Sequence, residues 1–325
     1  MSRISCRRHG MQLFFLLSAL LLGACDSSQR RTNAEFDLND RIDDTELLQH
    51  QPRQEKDNIF YFGFDLRASP QEDARQYLPF LQYLETATGY RFRLHFTPKN
   101  SNIVEELGNN RVQFAALGAA SFLQLQARYG AIPLVRGINS EGKAEYRSVF
   151  VVRPESGIKT IKDIKGKRLA FGSRLSTQGY LIPCIILAKH GIGLDELAFY
   201  DFTGSHQNCA DAVVSGKFDV CGMQDTMGRN MEQQGLLRII YTSDYYPSSG
   251  IATNKAVPAR VRARVKQALL EFDPQGKHNP TLYHWERTEM PLGFVAAKRD
   301  DYRELRYWMI KLGLIQDDKK RENLP

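Results

Sequence analysis

Residues 167–190, KRLAFGSRLSTQGYLIPCIILAKH, contain the pattern that is most informative about the fold. The run KRLAF (167–171) predicts a strand, and YLIPCIILAKH (180–190) predicts a helix. Between them, GSRLSTQG (172–179) combines two glycines with hydroxyl- and amide-bearing side chains. In open α/β sheets, ligands bind beyond the carboxyl ends of the strands. The loop is therefore a candidate binding site.

Strand-like and helix-like segments alternate on both sides of this stretch. Further strands are predicted at IFYFGF (59–64), RFRLHF (91–96), VQFAAL (112–117), AIPLV (131–135), YRSVFVV (146–152), LAFYDF (197–202), FDVCGM (218–223) and LLRIIYT (236–242). Helices are predicted in the intervening segments, one of them with Pro79 in its first turn, and near the C-terminus at 258–272 and 301–312. This alternation predicts an α/β protein with mostly parallel sheets, and the length of 325 residues suggests about two domains.

The N-terminal region has the pattern of an export signal. Three arginines precede an apolar run at 11–22, which is shorter than the about 20 residues that span a bilayer. The segment LGAC (22–25) resembles a lipobox, so we expect residues 1–24 to be a signal peptide and Cys25 to be lipidated; an ordinary cleaved signal is the alternative. Residues 25–57 are polar and charged, and predict a disordered tether.

Composition narrows the class of protein. The chain is 42% hydrophobic and 25% charged, as soluble globular proteins are. Loss of residues 1–24 would remove three arginines and lower the net charge from +7 to +4. Because this charge is dispersed and not interleaved with aromatic residues, nucleic acid is not an expected partner. A mild positive balance suits a small anionic ligand.

Three cysteines remain once Cys6 and Cys25 are set aside, namely Cys184, Cys209 and Cys221. An odd number in an exported protein implies at least one free thiol. The spacing leaves open a disulfide between Cys209 and Cys221, a site for a soft ligand, or burial of the thiols as small apolar groups. The chain has no CxxC pair, so we expect no structural zinc.

The loop at 172–179 has the chemistry of an oxyanion site. The first turn of a helix leaves about four N–H groups without intrahelical partners and carries partial positive charge. Ser173, Ser176, Thr177 and Gln178 add uncharged donors, which bind an anion without forming an ion pair. The simpler interpretation is that Ser176 only caps the helix. Pro183 implies that the helix begins near residue 181 or is kinked there.

Two other junctions between a strand and a helix have similar side chains. One is TGSH (203–206), where Ser205 is a candidate cap and His206 a hydrogen-bond donor, or a surface histidine beside a cap. The other is LGAASF (117–122), in the first half of the chain. Three such junctions from separate parts of the chain predict one shared cleft.

The order and content of these segments resemble the substrate-binding proteins of phosphonate- and phosphate-type ABC transporters. The resemblance covers about residues 58–275 and rests on STQGYLIP (176–183), GSH (204–206) followed by AV (212–213), Gly216 and Asp219, FG (62–63) with the segment 79–84, and GKRLAF (166–171). It implies a two-lobed type II periplasmic-binding fold. Lobe 1 would comprise residues 58–147 and 248–315, lobe 2 residues 148–247, and residues 316–325 a tail.

The resemblance also implies a function and a set of ligand-binding residues. We expect a lipid-anchored, monomeric receptor that closes over a phosphate-, phosphite- or phosphonate-type oxyanion for an ABC permease, at the periplasmic face of the inner membrane or, in a Gram-positive cell, the outer face of the cell membrane. The implied ligand-binding residues are Arg67, Ser121, Phe122, Ser173, Ser176, Thr177, Gln178, Gly179, His206 and Asp225. The alternative is a lipoprotein that presents its ligand, an arsenic or related oxyanion, to a membrane histidine kinase.

Several positions depart from the family pattern. Phe122 replaces a tyrosine and Gln178 a serine, while Arg67 and Arg174 bring charge where the family is neutral. Asp225 is the acidic residue nearest to the position that grips an amine in aminophosphonate binders. The chain has no GxSxG, HExxH or GxGxxG motif, so we expect no catalysis and no cofactor.

Overall fold

The computed structural model describes residues 59–65 and 70–316. The predicted signal peptide, Cys25, the tether and Arg67 lie outside these residues, as does the tail after residue 316. Within the described part, no helix has the length and apolar composition needed to cross a bilayer.

The first half of the described chain alternates strands and helices. Its elements are β1 (Ile59–Phe64), α1 (Pro70–Thr88), β2 (Arg91–Leu94), α2 (Ile103–Gly108), β3 (Phe114–Leu117), α3 (Ala119–Tyr129) and β4 (Ile132–Gly137). The positions of these four strands agree with the prediction. The start of α1 was predicted wrongly, since Pro79 lies inside the helix. Tyr77, Phe80 and Leu84 form a buried face that spans the proline, and this packing offsets the about 3 kcal/mol that an internal proline costs.

The middle of the chain forms a second alternating series. Its elements are β5 (Glu145–Tyr146), β6 (Ser148–Val152), β7 (Arg168–Phe171), a π-helical turn (Thr177–Leu181), α4 (Ile182–Lys189), β8 (Phe199–Phe202), α5 (His206–Val214), β9 (Val220–Gln224), α6 (Asp225–Gln233) and β10 (Arg238–Thr242). Short 3₁₀ turns lie at Ile161–Ile164 and Leu194–Glu196. The strand predicted at 146–152 is divided at Arg147 into β5 and β6.

The last part of the chain returns to the first sheet. Its elements are β11 (Tyr246–Pro247), β12 (Gly250–Thr253), α7 (Ala259–Leu270), β13 (Phe294–Ala296) and α8 (Arg303–Lys311), with 3₁₀ turns at Asn279–Thr281, Trp285–Arg287 and Arg299–Tyr302. Strands β12 and β13, four and three residues long, were not predicted.

The strands form two main sheets, which define two lobes. Lobe 1 is built on the six-stranded sheet β13-β4-β12-β3-β1-β2, and lobe 2 on the five-stranded sheet β10-β6-β9-β7-β8. Strands β1 to β4 run in one direction while β12 and β13 oppose them. In lobe 2 only β6 opposes the other four. Most strands are thus parallel in direction, but both sheets are mixed. The strands that run against their neighbours are β6, the first strand after the chain enters lobe 2, and β12 and β13, which follow its return to lobe 1.

Helices cover both faces of each sheet. On one face of the first sheet, Phe62, Phe80, Val265 and Trp285 pack together, and on one face of the second sheet Val149, Val213 and Met223 do so. The remaining faces contribute to one apolar cluster that includes α3, α4 and α8. The chain crosses between the lobes at the two-stranded ribbon of β5 and β11, and residues near this ribbon border the cavity described next.

Candidate functional site

A cavity of about 360 Å³ lies between the two lobes. Lobe 2 contributes Gly172, Ser173, Leu175, Ser176, Thr177, Gln178, Gly204, Ser205, His206, Gln207, Gln224 and Met227. Lobe 1 contributes Asp65, Glu72, Asp73, Gln76, Tyr77, Gly118, Ser249, Arg287, Thr288 and Glu289, and Tyr146 of the ribbon completes the lining. The loop after β7 and the loop after β8 therefore meet at one cavity, together with the turn before α3.

Backbone contacts hold the two lobe 2 loops together. The Gly172 N–H donates to the Gly179 carbonyl at 2.9 Å, and the Gly204 N–H donates to the Gly172 carbonyl at 3.0 Å. A methyl group on Gly179 would lie 3.2 Å from the Gly172 Cα atom and 3.0 Å from His206 Cε1. Gly179 permits this close approach, because a side chain there would crowd His206 and the Gly172 backbone.

The helix start after the loop resolves the problem of Pro183. The Leu181 N–H donates to the Ser176 carbonyl, and the Ile182 N–H donates to the Thr177 carbonyl, so the first turn has π-helical bonds. Helix α4 follows from Ile182, which places Pro183 in its first turn. Proline is tolerated there because the carbonyls one turn back are bonded elsewhere: the Gln178 carbonyl accepts from Ser148 Oγ and the Gly179 carbonyl from the Gly172 N–H.

The hydroxyls of the loop have both structural bonds and donors that can serve a ligand. Ser176 Oγ accepts from the Gly179 N–H at 2.9 Å, and Thr177 Oγ1 accepts from the Ala120 N–H of α3 at 2.8 Å. A hydroxyl also has one hydrogen to donate. Ser176 thus caps the turn, as the simpler interpretation has it, and its hydroxyl still has a proton that can reach a ligand in the cavity that it lines.

Helix α5 adds a second group of donors. Ser205 Oγ accepts from the Asn208 N–H at 3.1 Å and caps the helix. Since α5 begins at His206, the N–H groups of His206 and Gln207 have no intrahelical acceptor. Both residues line the cavity. The lobe 2 wall is therefore rich in hydroxyl and amide donors and contains no carboxylate among its lining residues.

Other predicted site residues have mainly structural contacts. Gln178 lines the cavity, but its Nε2 donates to the Arg147 carbonyl at 2.8 Å and its own carbonyl accepts from Ser148 Oγ. Ser121 is fully buried and donates to the Asp65 carboxylate. Phe122 packs in the core, with its ring centroid 4.7 Å from that of Tyr302. Neither Ser121 nor Phe122 is among the described residues that line the cavity.

Asp225 lies beside the cavity lining but not in it. Its carboxylate is 2.8 Å from Arg229 and 3.4 Å from Arg147, and its side chain is 7% exposed. These two guanidinium groups satisfy the carboxylate as part of the packing of α6. The preceding residue, Gln224, faces the cavity instead. Arg174, another departure noted in the sequence, is exposed, and its guanidinium lies 4.1 Å from the centre of the Phe202 ring.

The cysteines do not form a soft-ligand site. Cys209 and Cys221 form a disulfide that joins α5 to β9. Cys184 is buried, and burial raises the pKa of its thiol to about 12, so it is not a thiolate at neutral pH. In the described part of the chain, no group of three or more His, Cys, Asp or Glu side chains is arranged to hold a metal ion.

The lobe 1 wall was largely missed by the sequence reasoning, and its charge differs from that of lobe 2. Asp65, Glu72, Asp73 and Glu289 supply four carboxylates, and Arg287 supplies a guanidinium. Ser249 Oγ donates to Glu289 Oε2. These residues come from three distant segments, and the one at 287–289 lies in an irregular stretch without strand or helix periodicity. The pattern of glycines and hydroxyl side chains between a strand and a helix, which predicts the two loops of lobe 2, does not predict these residues.

Two mixed sheets joined by a short ribbon, with a cavity between them, define a solute-binding protein of the type II periplasmic-binding fold. A family model described as the periplasmic substrate-binding protein of phosphonate ABC transporters matches residues 62–302. The chain belongs to this family, whose members are periplasmic substrate-binding proteins of ABC transporters rather than enzymes.

Individual proteins show the same relationship. The chain is similar to the phosphonates-binding periplasmic protein of Escherichia coli K12, with 24% identity over 236 residues, or 70% of each chain. It is 27% identical over 218 residues to the phosphate-import protein PhnD of Mycolicibacterium smegmatis, which covers 62% of this chain and 66% of the relative. The structure of PhnD1 from Prochlorococcus marinus in complex with methylphosphonate matches with a TM-score of 0.70 at 18% identity, over 79% of this chain and 99% of that one.

Proposed function

We propose that the protein captures a small oxyanion of the phosphate, phosphite or phosphonate type between its two lobes and delivers it to an ABC transporter. The observation that carries this proposal is the meeting of two loops of lobe 2, bonded through Gly172, at a cavity that Ser173, Ser176, Thr177 and His206 line. Hydroxyl and N–H donors at helix starts suit an oxyanion. The names of the Escherichia coli and Mycolicibacterium smegmatis relatives, and the methylphosphonate in PhnD1, support the same class of ligand.

The donors in this cavity also suit a protein that must release its ligand. Hydrogen bonds from uncharged donors are weaker than ion pairs, so less free energy is needed to break them when the lobes separate and the anion leaves. Gly179 contributes by its lack of a side chain, which lets His206 approach the loop. We assign the ligand contacts to Ser173, Ser176, Thr177 and His206. We expect Gln178 to contribute less to ligand binding, because its side-chain amide donates to the Arg147 carbonyl.

Isothermal titration calorimetry tests this proposal with phosphate, phosphite, methylphosphonate, 2-aminoethylphosphonate and sulfate. We expect His206→Ala to weaken binding of the best ligand about tenfold or more, because a hydrogen bond to a charged group is lost. The matched control is His190→Ala, which removes an exposed histidine of lobe 2 that bonds to Ile186. If none of the five anions binds, or both variants bind as the wild type does, the proposal is wrong.

Ligand capture requires the lobes to move as bodies, with residues 58–147 and 248–315 in one and 148–247 in the other. We place the hinge at the crossing of β5 and β11, which is two residues long in each strand. Small-angle X-ray scattering would test this assignment. We expect the radius of gyration to differ between ligand-free and saturated protein, and an unchanged value would contradict a hinge.

We also propose that Cys25 carries a lipid that anchors the protein at the periplasmic face of the membrane. The support is the sequence of residues 1–25, with its arginines, short apolar run and LGAC. Mass spectrometry of the membrane fraction should find a diacylated N-terminal Cys25, and Cys25→Ser should release the protein into the soluble periplasmic fraction. A soluble wild-type protein would contradict the anchor.

We favour a permease over a sensor kinase as the recipient of the ligand. The case for a sensor of a soft arsenic ligand depended on three thiols, and two of them are joined in the Cys209–Cys221 disulfide. Deletion of the gene should abolish uptake of labelled ligand by cells. Normal uptake with a lost transcriptional response to the ligand would instead identify a sensor.

A further inference from the structure

The first turn of α3 receives its acceptors from other parts of the chain. Gly118, at the N-cap position, has no side chain to cap the helix. The Asp65 carboxylate takes this role: its Oδ2 accepts from the Gly118 N–H at 3.0 Å and from Ser121 Oγ at 3.1 Å. Asp65 reaches α3 because β1 and β3 are parallel neighbours, and its own N–H donates to the Ala116 carbonyl.

The next two N–H groups of α3 are also bonded. The Ala119 N–H donates to Tyr146 Oη at 3.5 Å, and the Ala120 N–H donates to Thr177 Oγ1 at 2.8 Å. A helix N-terminus attracts an anion through such N–H groups and its partial positive charge. Here a carboxylate of the protein already lies at that position. A ligand anion therefore gains little from α3 and depends on the donors of lobe 2.

Asp65 also lines the cavity, on a wall where the described lining residues supply four carboxylates and the one guanidinium of Arg287, so a bound anion meets mainly negative charge on the lobe 1 side. An ionised carboxylate accepts hydrogen bonds and cannot donate them. An oxyanion that keeps a proton on one oxygen can donate it towards this wall. A fully deprotonated anion such as sulfate brings only acceptors, and it is repelled by the carboxylate at short range.

We infer that Asp65 is a specificity determinant of the cleft, which favours oxyanions that carry a proton, such as hydrogen phosphonates and hydrogen phosphite, over sulfate. This inference rests on the proposed function, because it presumes that the oxyanion occupies this cavity. Discrimination between protonated oxyanions and sulfate then comes from a residue of lobe 1, whereas the proposed binding donors belong to lobe 2.

The test compares the affinities of methylphosphonate and sulfate by calorimetry at neutral pH in wild type and in Asp65→Asn. Asparagine keeps an oxygen to accept from the Gly118 N–H but has no charge. We expect the preference for methylphosphonate over sulfate to fall about tenfold or more, because like charges a few ångströms apart repel by an energy of that order. Asp65→Ser, which also removes the charge but has a shorter side chain, should change the preference in the same direction, and a thermal melt identifies folded variants.

Two other variants separate Asp65 from a general effect of charge. Glu155→Gln removes one negative charge from an exposed position outside the cavity lining, and it should leave the preference unchanged. Glu289→Gln removes a charge from the same wall, and we expect a smaller change than in Asp65→Asn. If the preference for methylphosphonate over sulfate changes as much in Glu289→Gln as in Asp65→Asn, or does not change in the folded Asp65 variants, the inference about Asp65 is wrong. The proposed function would not be affected by that result. Failure of wild type to bind any oxyanion would overturn the proposed function and the inference together.

Discussion

Gly179 and His206 are in close contact across the two loops of lobe 2: a Cβ atom on Gly179 would lie 3.0 Å from His206 Cε1 and 3.0 Å from Ser176 Oγ. The glycine has no positive φ angle, so its conformation does not demand glycine. What excludes a side chain is the space. The contact positions the imidazole against the turn that begins at Thr177, and both Thr177 and His206 line the cavity.

Gly179→Ala should therefore weaken oxyanion binding about tenfold while the protein stays folded, because His206 or Ser176 must shift by a few tenths of an ångström and overpacking costs about 1–3 kcal/mol. Gly157→Ala is the matched control, since a Cβ atom there meets no atom within 4 Å. Calorimetry and a thermal melt on both variants test this. Equal affinity in the two variants would show that the contact has no role in binding.

Thr177→Val should lower both oxyanion affinity and thermal stability. Valine has the shape of threonine but leaves the Ala120 N–H without its acceptor and takes a hydroxyl from the cavity. A buried donor without a partner costs about 1–3 kcal/mol, so we expect roughly a tenfold loss of affinity and a lower Tm. Thr86→Val is the control, because Thr86 is exposed on α1 and bonds only within its helix to Gln82. A Thr177→Val protein as stable as this control would contradict the contact between the lobes.

The disulfide should contribute to stability and not to ligand binding. It closes a loop across 12 residues of separation, between α5 and β9, and bonds of this kind typically contribute 2–4 kcal/mol. A Cys209→Ala, Cys221→Ala double variant should melt at a lower temperature with unchanged ligand affinity. Reductant should lower the Tm of wild type and have no such effect on the double variant. Loss of ligand affinity in the double variant would instead support the hypothesis that these cysteines bind a soft ligand.

Glu106 should make the protein sensitive to acid. Arg111 foremost, with Ser101 and His95, lowers the pKa of this buried carboxyl from 4.5 to about 2. Because the folded-state pKa is below the unfolded one, the stabilisation is fully present above about pH 4.5 and is lost as the pH falls towards 2. Its upper limit is about 3 kcal/mol. Glu106→Gln should lower the Tm at pH 7 and flatten the decline of Tm between pH 4.5 and 2.5; parallel Tm profiles for variant and wild type would contradict this role.

Much of lobe 2 could be predicted because its chemistry is local. A strand, a loop of glycines and hydroxyls, and a helix lie consecutively at 167–190, and sheet geometry then brings the loop at 203–206 beside it. The disulfide remained one of several possibilities, since spacing does not determine pairing. The two loops that meet at the cavity were predicted from residue types that are common at helix starts.

The lobe 1 wall could not be predicted in the same way. Asp65 caps α3 only because β1 and β3 are neighbours in the sheet, and the two residues that it joins, Asp65 and Gly118, are 53 positions apart. Phe122 and Asp225 were chosen by analogy to a family pattern, and packing in this chain gives both of them other partners. Pro79 is typical of a helix start, so the sequence predicts a shorter helix than α1, whose tertiary packing carries it through the proline.

A crystal structure of the protein with methylphosphonate would show whether the anion lies between the two loops of lobe 2. We predict that the phosphonate oxygens lie within about 3 Å of the Ser176 and Thr177 hydroxyls and of donors at the start of α5, the usual distance for such hydrogen bonds. A phosphonate bound away from Thr177 and His206, at Arg287 or outside the cavity, would contradict the proposed site.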